Sequence, residues 1–241
     1  MAKWEILDTG RQTAVENMRL DSELLEKAEE LTHPILHFYE WEGECATYGY
    51  FTDPAKLLNL QSAEKLSLHL ARRPTGGGIV FHIWDMAFSV IVPAHLPEFS
   101  MNTLENYAFV NKAVLLAVKE FFGGSLPLSL IPEDLTQWDA DCSRFCMAKP
   151  TKYDVMWEGK KVAGAAQRKT KVGFLHQGTI ALVMPPSDYL DKILLPGTRV
   201  KEAMQAHTCP LLGQGVSREQ TEQAKRQLRQ LLATHLSRAS L

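Results

Sequence analysis

Eleven consecutive residues, Arg72-Arg73-Pro74-Thr75-Gly76-Gly77-Gly78-Ile79-Val80-Phe81-His82, combine two guanidiniums, three adjacent glycines and a histidine that closes an apolar run. Glycine has no Cβ, so Gly76, Gly77 and Gly78 let the backbone turn sharply and approach a ligand closely. Backbone N–H groups exposed in such a turn can hold an anion or a carbonyl oxygen. The arginines add positive charge beside it. No Lys-Ser/Thr follows at the spacing of a nucleotide-hydrolase phosphate loop, and no helical pattern opens after the glycines as a GxGxxG fingerprint requires. Four thiols offer a second kind of chemistry: Cys45, Cys142, Cys146 and Cys209. An unpaired cysteine is most often a small buried hydrophobe. Cys142 and Cys146 are spaced C-x3-C, but His207-Thr208-Cys209 is a poor second half for zinc, so no metal site is expected.

A second segment, Cys146 to Ile180, reads CMAKPTKYDVMWEGKKVAGAAQRKTKVGFLHQGTI. Together the two stretches resemble the lipoate-attachment family of lipoate-protein ligases and octanoyltransferases, relatives of biotin protein ligase. The family's R-R-x-[ST]-G-G-[GR]-x-V-x-H block corresponds to Arg72 through His82, and its G-[KR]-K-[IV]-x-G-[SA]-A-[QY] block to Gly159 through Gln167. Its H-G-[ST]-[IL] ending is similar to His176 through Ile180, slightly altered. Ala14 through Leu25 resembles the family's first helix, so the likeness runs from about residue 4 to about residue 195. It rests on the order and spacing of the blocks.

The resemblance implies roles. Octanoyltransferases of the type found in some Gram-positive bacteria carry a nucleophilic cysteine at the distance that separates Cys146 from Lys161, fifteen residues. A thiolate can take an acyl group from a thioester without nucleotide and then acylate an amine. Lys161, second of the pair Lys160-Lys161, stands at the family's lysine position. Its ammonium can stabilise charge on the acyl carbonyl oxygen, or contact an acyl-adenylate phosphate in a ligase. The family register puts Arg73 rather than Arg72 at the ligand, since neighbours in extended backbone point oppositely. Thr75, Gly76, Gly77, Gly78 and His82 join it. Gly164 and Ala166, small residues on one strand, either leave room for an acyl chain or serve tight packing. Gln167, Gln177 and Gly178 complete the implied substrate contacts. Cys209 is a competing thiol, but its context does not fit the octanoyltransferase branch with a downstream cysteine.

Three departures stand against a full match. Gln177 occupies the usual histidine position, with His176 one place earlier and so on the opposite face of a strand. Ile83-Trp84 follow His82 where the family has aspartate, which is displaced to Asp85. Only about 50 residues follow the core, too few for the accessory domain of many bacterial ligases. The expected activity is attachment of an octanoyl or lipoyl group to a lysine of lipoyl-carrier domains, those of 2-oxoacid dehydrogenases or the glycine cleavage H protein. Octanoyl-acyl-carrier protein is the implied donor, and no cofactor is needed. The alternatives are an ATP-dependent lipoate-protein ligase, which would use ATP and Mg, and a non-catalytic acyl-group binding protein.

The elements that must position these groups lie in a chain of 241 residues, 45% hydrophobic and 22% charged, with a formal net charge of −2. That balance argues against nucleic-acid binding. No apolar run reaches the roughly 18 residues of a membrane span, and the N-terminus lacks a signal-peptide h-region; a cytoplasmic protein without a disulfide framework is expected. Helical stripes are read over 13–30, 62–67, 104–122 and 217–238, the last opened by a Ser217/Gln220 capping box. Asp21 falls on the apolar face of the first stripe, as a partnered polar residue or as a flaw in that reading. Strands are read at 4–7, 34–41, 46–51, 68–73, 79–82, 86–92, 152–157, 161–168 and 174–184, with a loop over 125–150. Without βα alternation this means an α+β fold in one domain over 1–241, a mixed and largely antiparallel sheet flanked by helices, as in biotin/lipoate protein ligase catalytic domains. Residues 196–241 would form a helical extension.

Overall fold

The computed structural model describes residues 3–133, 140–213 and 215–239. In chain order the elements are β1 (Glu5–Gln12), α1 (Ala14–Glu26), β2 (Ile35–Trp41), β3 (Cys45–Tyr48), α2 (Leu60–Lys65), β4 (His69–Arg72), β5 (Ile79–His82) and β6 (Asp85–Pro93). There follow α3 (Thr103–Phe121), β7 (Ser129–Leu130), β8 (Val155–Trp157), β9 (Lys160–Lys169), β10 (Gly173–Ala181), α4 (Ser187–Ile193), α5 (Val200–His207) and α6 (Arg218–Arg238). Seven strands form one sheet in the order β1-β2-β6-β10-β9-β8-β7, and β4-β3-β5 form a second. β1 pairs β2 and β3 pairs β4 in parallel, while the remaining pairings are antiparallel. The α+β class and the mixed, largely antiparallel sheet agree with the sequence reading.

β6 and β10 bury all nine of their residues, so the large sheet is covered on both faces. Successive side chains leave a strand on opposite sides. Phe88, Val90, Phe174 and Ile180 pack with Val110 and Val114 of α3 and Leu228 and Leu232 of α6. Ile91 and Leu175 pack on the other face with Leu25 and Ala28. The helices begin where capping chemistry allows. Thr13 opens α1 with a capping box, and Ser217 and Gln220 exchange hydrogen bonds at the start of α6. Gly123 and Gly124, at φ +70° and +84°, end α3 in a conformation other residues rarely adopt. No helix among the described residues is long and apolar enough to cross a membrane.

Differences from the expected elements have local causes. The strand read over 46–51 stops at Tyr48, because Gly49 turns against the backbone of Gly76 and Gly77 and Tyr50 N–H bonds to the Thr75 carbonyl at 2.9 Å. α1 gives way to a 3-10 turn over Ala28–Glu30 that keeps Ala28 in the core. α4 and α5 lack a side-chain cap and are too short to hold themselves as isolated helices. Packing of Leu190, Ile193, Val200, Ala203 and Met204 with Leu57 and Leu58 supports them. The loop read over 125–150 lies outside the described residues at 134–139; β7 and a 3-10 turn at Cys142–Arg144 occupy parts of the rest.

Candidate active site

Cys146 sits on the segment between β7 and β8, and both of its backbone polar groups are anchored. Its N–H bonds to the Ile79 carbonyl at 3.0 Å, and its carbonyl accepts from Lys161 Nζ at 2.7 Å. Lys161 Nζ also lies 2.7 Å from Asp154 Oδ2, with both side chains almost completely buried. Thr151 donates to the same oxygen through its N–H at 2.7 Å and its hydroxyl at 2.9 Å, while Tyr107 donates to Oδ1 at 3.2 Å. Burial, reinforced by Asp154, pushes the Tyr107 phenol well above its usual range, so it stays a donor. Gly164 lies beside Lys161 because a Cβ there would occupy the place of Cε and Nζ. The small residue thus makes room for the lysine.

The glycine loop closes over the thiol. Gly77 holds φ +84°, and a Cβ on it would come within 3.4 Å of both Cys146 Sγ and Arg73 Nη2. A Cβ on Gly78 would run into the Arg144 carbonyl, so that glycine lets the Cys146 segment lie against the loop. Arg73 is 4% exposed and threads beneath the loop. Its Nη1 donates to Thr47 O at 2.9 Å and Thr47 Oγ1 at 2.7 Å; its Nη2 donates to Gly78 O at 2.7 Å and Gly76 O at 3.2 Å. Nη2 also lies 3.8 Å from Cys146 Sγ. Arg72 is exposed and lies over the Tyr50 ring. Thr47 Oγ1, which accepts from Arg73, meets His82 Nε2 at 2.7 Å, and His82 Nδ1 meets Asp85 Oδ2 at 2.6 Å. Burial opposes charge on Asp85, but His82 and hydrogen bonds from His82 and Thr179 outweigh it and hold the carboxyl below its usual range.

Between thiol and sheet lies a narrow, mostly apolar pocket that measures about 390 Å³ when the open solvent at its mouth is included. Arg73, His82, Cys146, Gly164, Ala166, Gln177 and Gly178 line it, together with Met18, Tyr39, Trp41, Thr47, Val80, Met147, Ala165 and Thr179. The Trp41 and His82 rings stack at 4.2 Å on its wall. Gln177 accepts from Thr75 Oγ1 at 2.7 Å and donates to Asp21 Oδ2 at 2.6 Å. Asp21 also receives Ser89 Oγ at 2.6 Å and meets His37 Nδ1 at 2.9 Å, so the polar residue on the apolar face of α1 is a partnered one. His176 points to the other face of β10, buried between Phe88 and Tyr107, and burial drives its pKa down to about 3. Gln167 pairs with His176 across the strands and donates to Thr103 O at 3.2 Å, which takes it away from the pocket. A Cβ on Gly178 would meet the Phe88 ring on that same face. Among the described residues no group of three His, Cys, Asp or Glu is placed to hold a metal ion.

The lipoyl protein ligase A/B catalytic domain matches this chain over residues 13–223. The chain belongs to that family. It is 32% identical over 206 residues to octanoyltransferase LipM of Bacillus subtilis, an alignment covering 84% of this chain and 73% of the relative. Octanoyltransferase LipM of Halalkalibacterium halodurans is 31% identical over 207 residues, covering 85% and 75%. A T. acidophilum protein assigned as a lipoate protein ligase and solved with lipoic acid bound superposes with a TM-score of 0.69 at 24% identity, covering 96% of this chain and 86% of that one. At that identity the likeness shows the fold.

Within the lipoyl protein ligase A/B family, the displaced aspartate takes on physical meaning. Asp85 begins β6 three residues after His82, and the turn between them returns its carboxylate to the imidazole. Asp154, Tyr107 and Thr47 escaped the sequence reading. Asp154 left one signal, an acid placed just before the apolar strand Val155–Trp157. Thr47 and Tyr107 left none, because their importance lies in partners 26 and 58 residues away.

Proposed function

We propose that the chain is an octanoyltransferase that moves an octanoyl group through a thioester on Cys146 to a lysine of a lipoyl-carrier domain. The observation that carries this reading is the position of Cys146 Sγ, held where the glycine loop meets the apolar pocket. A partly buried cysteine on a segment anchored at both its N–H and its carbonyl presents a fixed nucleophile. The similarity to octanoyltransferases over most of the chain supports the acyl group, and burial favours it too. At about 0.8 kcal/mol per buried methylene, the seven-carbon tail gains roughly 5 kcal/mol.

The thiolate attacks the carbonyl of an octanoyl thioester on an acyl-carrier protein. The new C–S bond forms, the donor's C–S bond breaks, and the departing thiolate takes a proton from solvent. The target lysine, as a neutral amine, then attacks the Cys146 thioester, loses a proton and releases the Cys146 thiolate. Both steps exchange one acyl bond for another and use no nucleotide. Lys161 has three donors, two of them used on Asp154 and the Cys146 carbonyl. The third is available to the developing oxyanion, along with N–H groups of the glycine loop. The acceptors in this reading are the lipoyl domains of 2-oxoacid dehydrogenases or the glycine cleavage H protein.

Intact-protein mass spectrometry after mixing the enzyme with octanoyl-acyl-carrier protein and no ATP tests this directly. An octanoyl adduct is expected on the native chain and absent from Cys146→Ala. Transfer to a lipoyl domain that requires ATP and free lipoate, undiminished in Cys146→Ala, would instead make the protein a ligase.

A further inference from the structure

We propose that Arg73 is the counter-ion of the Cys146 thiolate, and so a catalytic residue rather than only a wall of the pocket. The inference rests on Cys146 being the nucleophile. A guanidinium taken almost fully out of water is costly unless a negative charge lies near it. Arg73 has no carboxylate within ion-pair distance among the described residues; its hydrogen-bond partners are carbonyls, a hydroxyl and one sulfur. Carbonyls satisfy N–H groups but do not neutralise a charge. Of the atoms hydrogen-bonded to Arg73, only Cys146 Sγ can become an anion, and it lies 3.8 Å from Nη2.

The other cation nearby is already matched. Lys161 Nζ lies 2.7 Å from Asp154 Oδ2 and points to the backbone carbonyl of Cys146, not to its sulfur. Asp85, the carboxylate at the far end of the Arg73–Thr47–His82 chain, is engaged by His82 and Thr179. The backbone reinforces the assignment. At Gly77, whose φ of +84° favours glycine, a Cβ would lie in van der Waals contact with both Nη2 and Sγ at 3.4 Å, so the loop backbone packs directly against the pair. Thiolate nucleophiles generally depend on a neighbouring cation of this kind, and Arg keeps its charge at any pH the protein meets.

The test reads the thiol without any acyl donor, so it stands apart from the octanoyl-transfer experiment. Alkylation of Cys146 by iodoacetamide at neutral pH is timed by mass spectrometry in the native chain, Arg73→Gln and Arg73→Lys, with circular dichroism and melting recorded for each. Arg73→Gln should slow alkylation by roughly tenfold or more, while Arg73→Lys keeps much of the rate. Equal rates in a folded Arg73→Gln overturn the proposal. If Arg73→Gln does not fold, the ultraviolet thiolate absorbance of the native chain decides. A band at neutral pH that disappears in Cys146→Ser supports the pair, and its absence sinks it. If alkylation follows Arg73 but no octanoyl adduct ever forms, the ion pair stands and the transferase reading fails.

Discussion

The ammonium of Lys161 and the carboxylate of Asp154 meet at 2.7 Å with both side chains out of water, directly behind the peptide that carries Cys146. A buried pair of this kind contributes little net stability compared with apolar residues, yet removing one partner strands the other charge. Asp154→Asn should therefore destabilise the protein by about 3–5 kcal/mol in urea unfolding. It should also slow acylation of Cys146, because the ammonium no longer fixes the Cys146 carbonyl. Native stability in that variant would mean that Lys161 finds another partner.

Gly164→Ala addresses the same pair from the opposite side. The added methyl takes the space of Lys161 Cε and Nζ, so the lysine must move away from Asp154 and Cys146. Overpacking of this kind costs about 1–3 kcal/mol. The expected signature is a loss of activity well beyond the fall in melting temperature. A Gly164→Ala enzyme with native kcat would show that Lys161 does not act from the position described.

How much of this could be read from the chain follows from where each group finds its partners. The glycine loop, Cys146, Arg73 and His82 lie in short strings whose spacing survives folding, and the pocket gathers Cys146, Arg73 and His82 with Gly77 at the thiol. Register arithmetic placed His176 and Gln177 on opposite faces of one strand, and the structure does so. The same arithmetic gives Gln167 the face of His176, but the motif likeness grouped it with the ligand residues. Asp154 and Asp85 draw their meaning from pairing across the fold, which no local pattern carries. α4 and α5 are short amphipathic segments that the sheet and α2 hold in place, so propensity alone did not reveal them.

Gln177 links the glycine loop to α1, accepting from Thr75 and donating to Asp21. Gln177→Leu removes the donor to one buried carboxylate oxygen and the acceptor of a buried hydroxyl, at a cost of about 1–3 kcal/mol. With Thr75 released, the loop over Cys146 loses an anchor. The KM for the acyl donor should rise, and urea unfolding should report the stability change separately. An unchanged KM would detach this network from the site.

His176 makes stability depend on pH. In the unfolded chain it titrates near 6.5, whereas burial holds the folded value at about 3. Below about 6.5 the unfolded state binds a proton the folded state does not, so stability falls as pH drops toward 3 at about 1.4 kcal/mol per pH unit. Asp85 has the same sign but a lower window, since its depressed carboxyl matters only as pH falls below the ordinary aspartate value, about 3.9. Urea unfolding between pH 7.5 and 5 therefore leaves Asp85 out. His207, lowered by burial and by Lys160, adds a slope of the same sign that is common to the native chain and the His176 variant. His176→Phe, stacked on Phe88 and Tyr107 and lacking the unpartnered Nε2, should flatten that dependence by about 2 kcal/mol. An identical slope in both proteins would place the acid sensitivity elsewhere.

Adjacent residues of β9 give the sharpest test of which side of the strand meets the acyl group. Ala166 pairs with Gln177 on the pocket face, its Cβ 3.7 Å from where a Gly77 side chain would begin. Gln167, next in sequence, turns toward α3 and bonds to Thr103. Ala166→Leu should fill the pocket and abolish formation of the octanoyl adduct on Cys146. Alkylation by small reagents and the melting temperature should change far less, because Ala166 lines the pocket and is not part of a packed core cluster. Gln167→Ala should leave kcat and KM near native, with a stability cost of about 1 kcal/mol because the buried His176 Nδ1 loses its 3.4 Å partner. The reverse pattern, a tolerant Ala166 and an inactive Gln167→Ala, would put the substrate on the α3 face and require the pocket to serve another ligand.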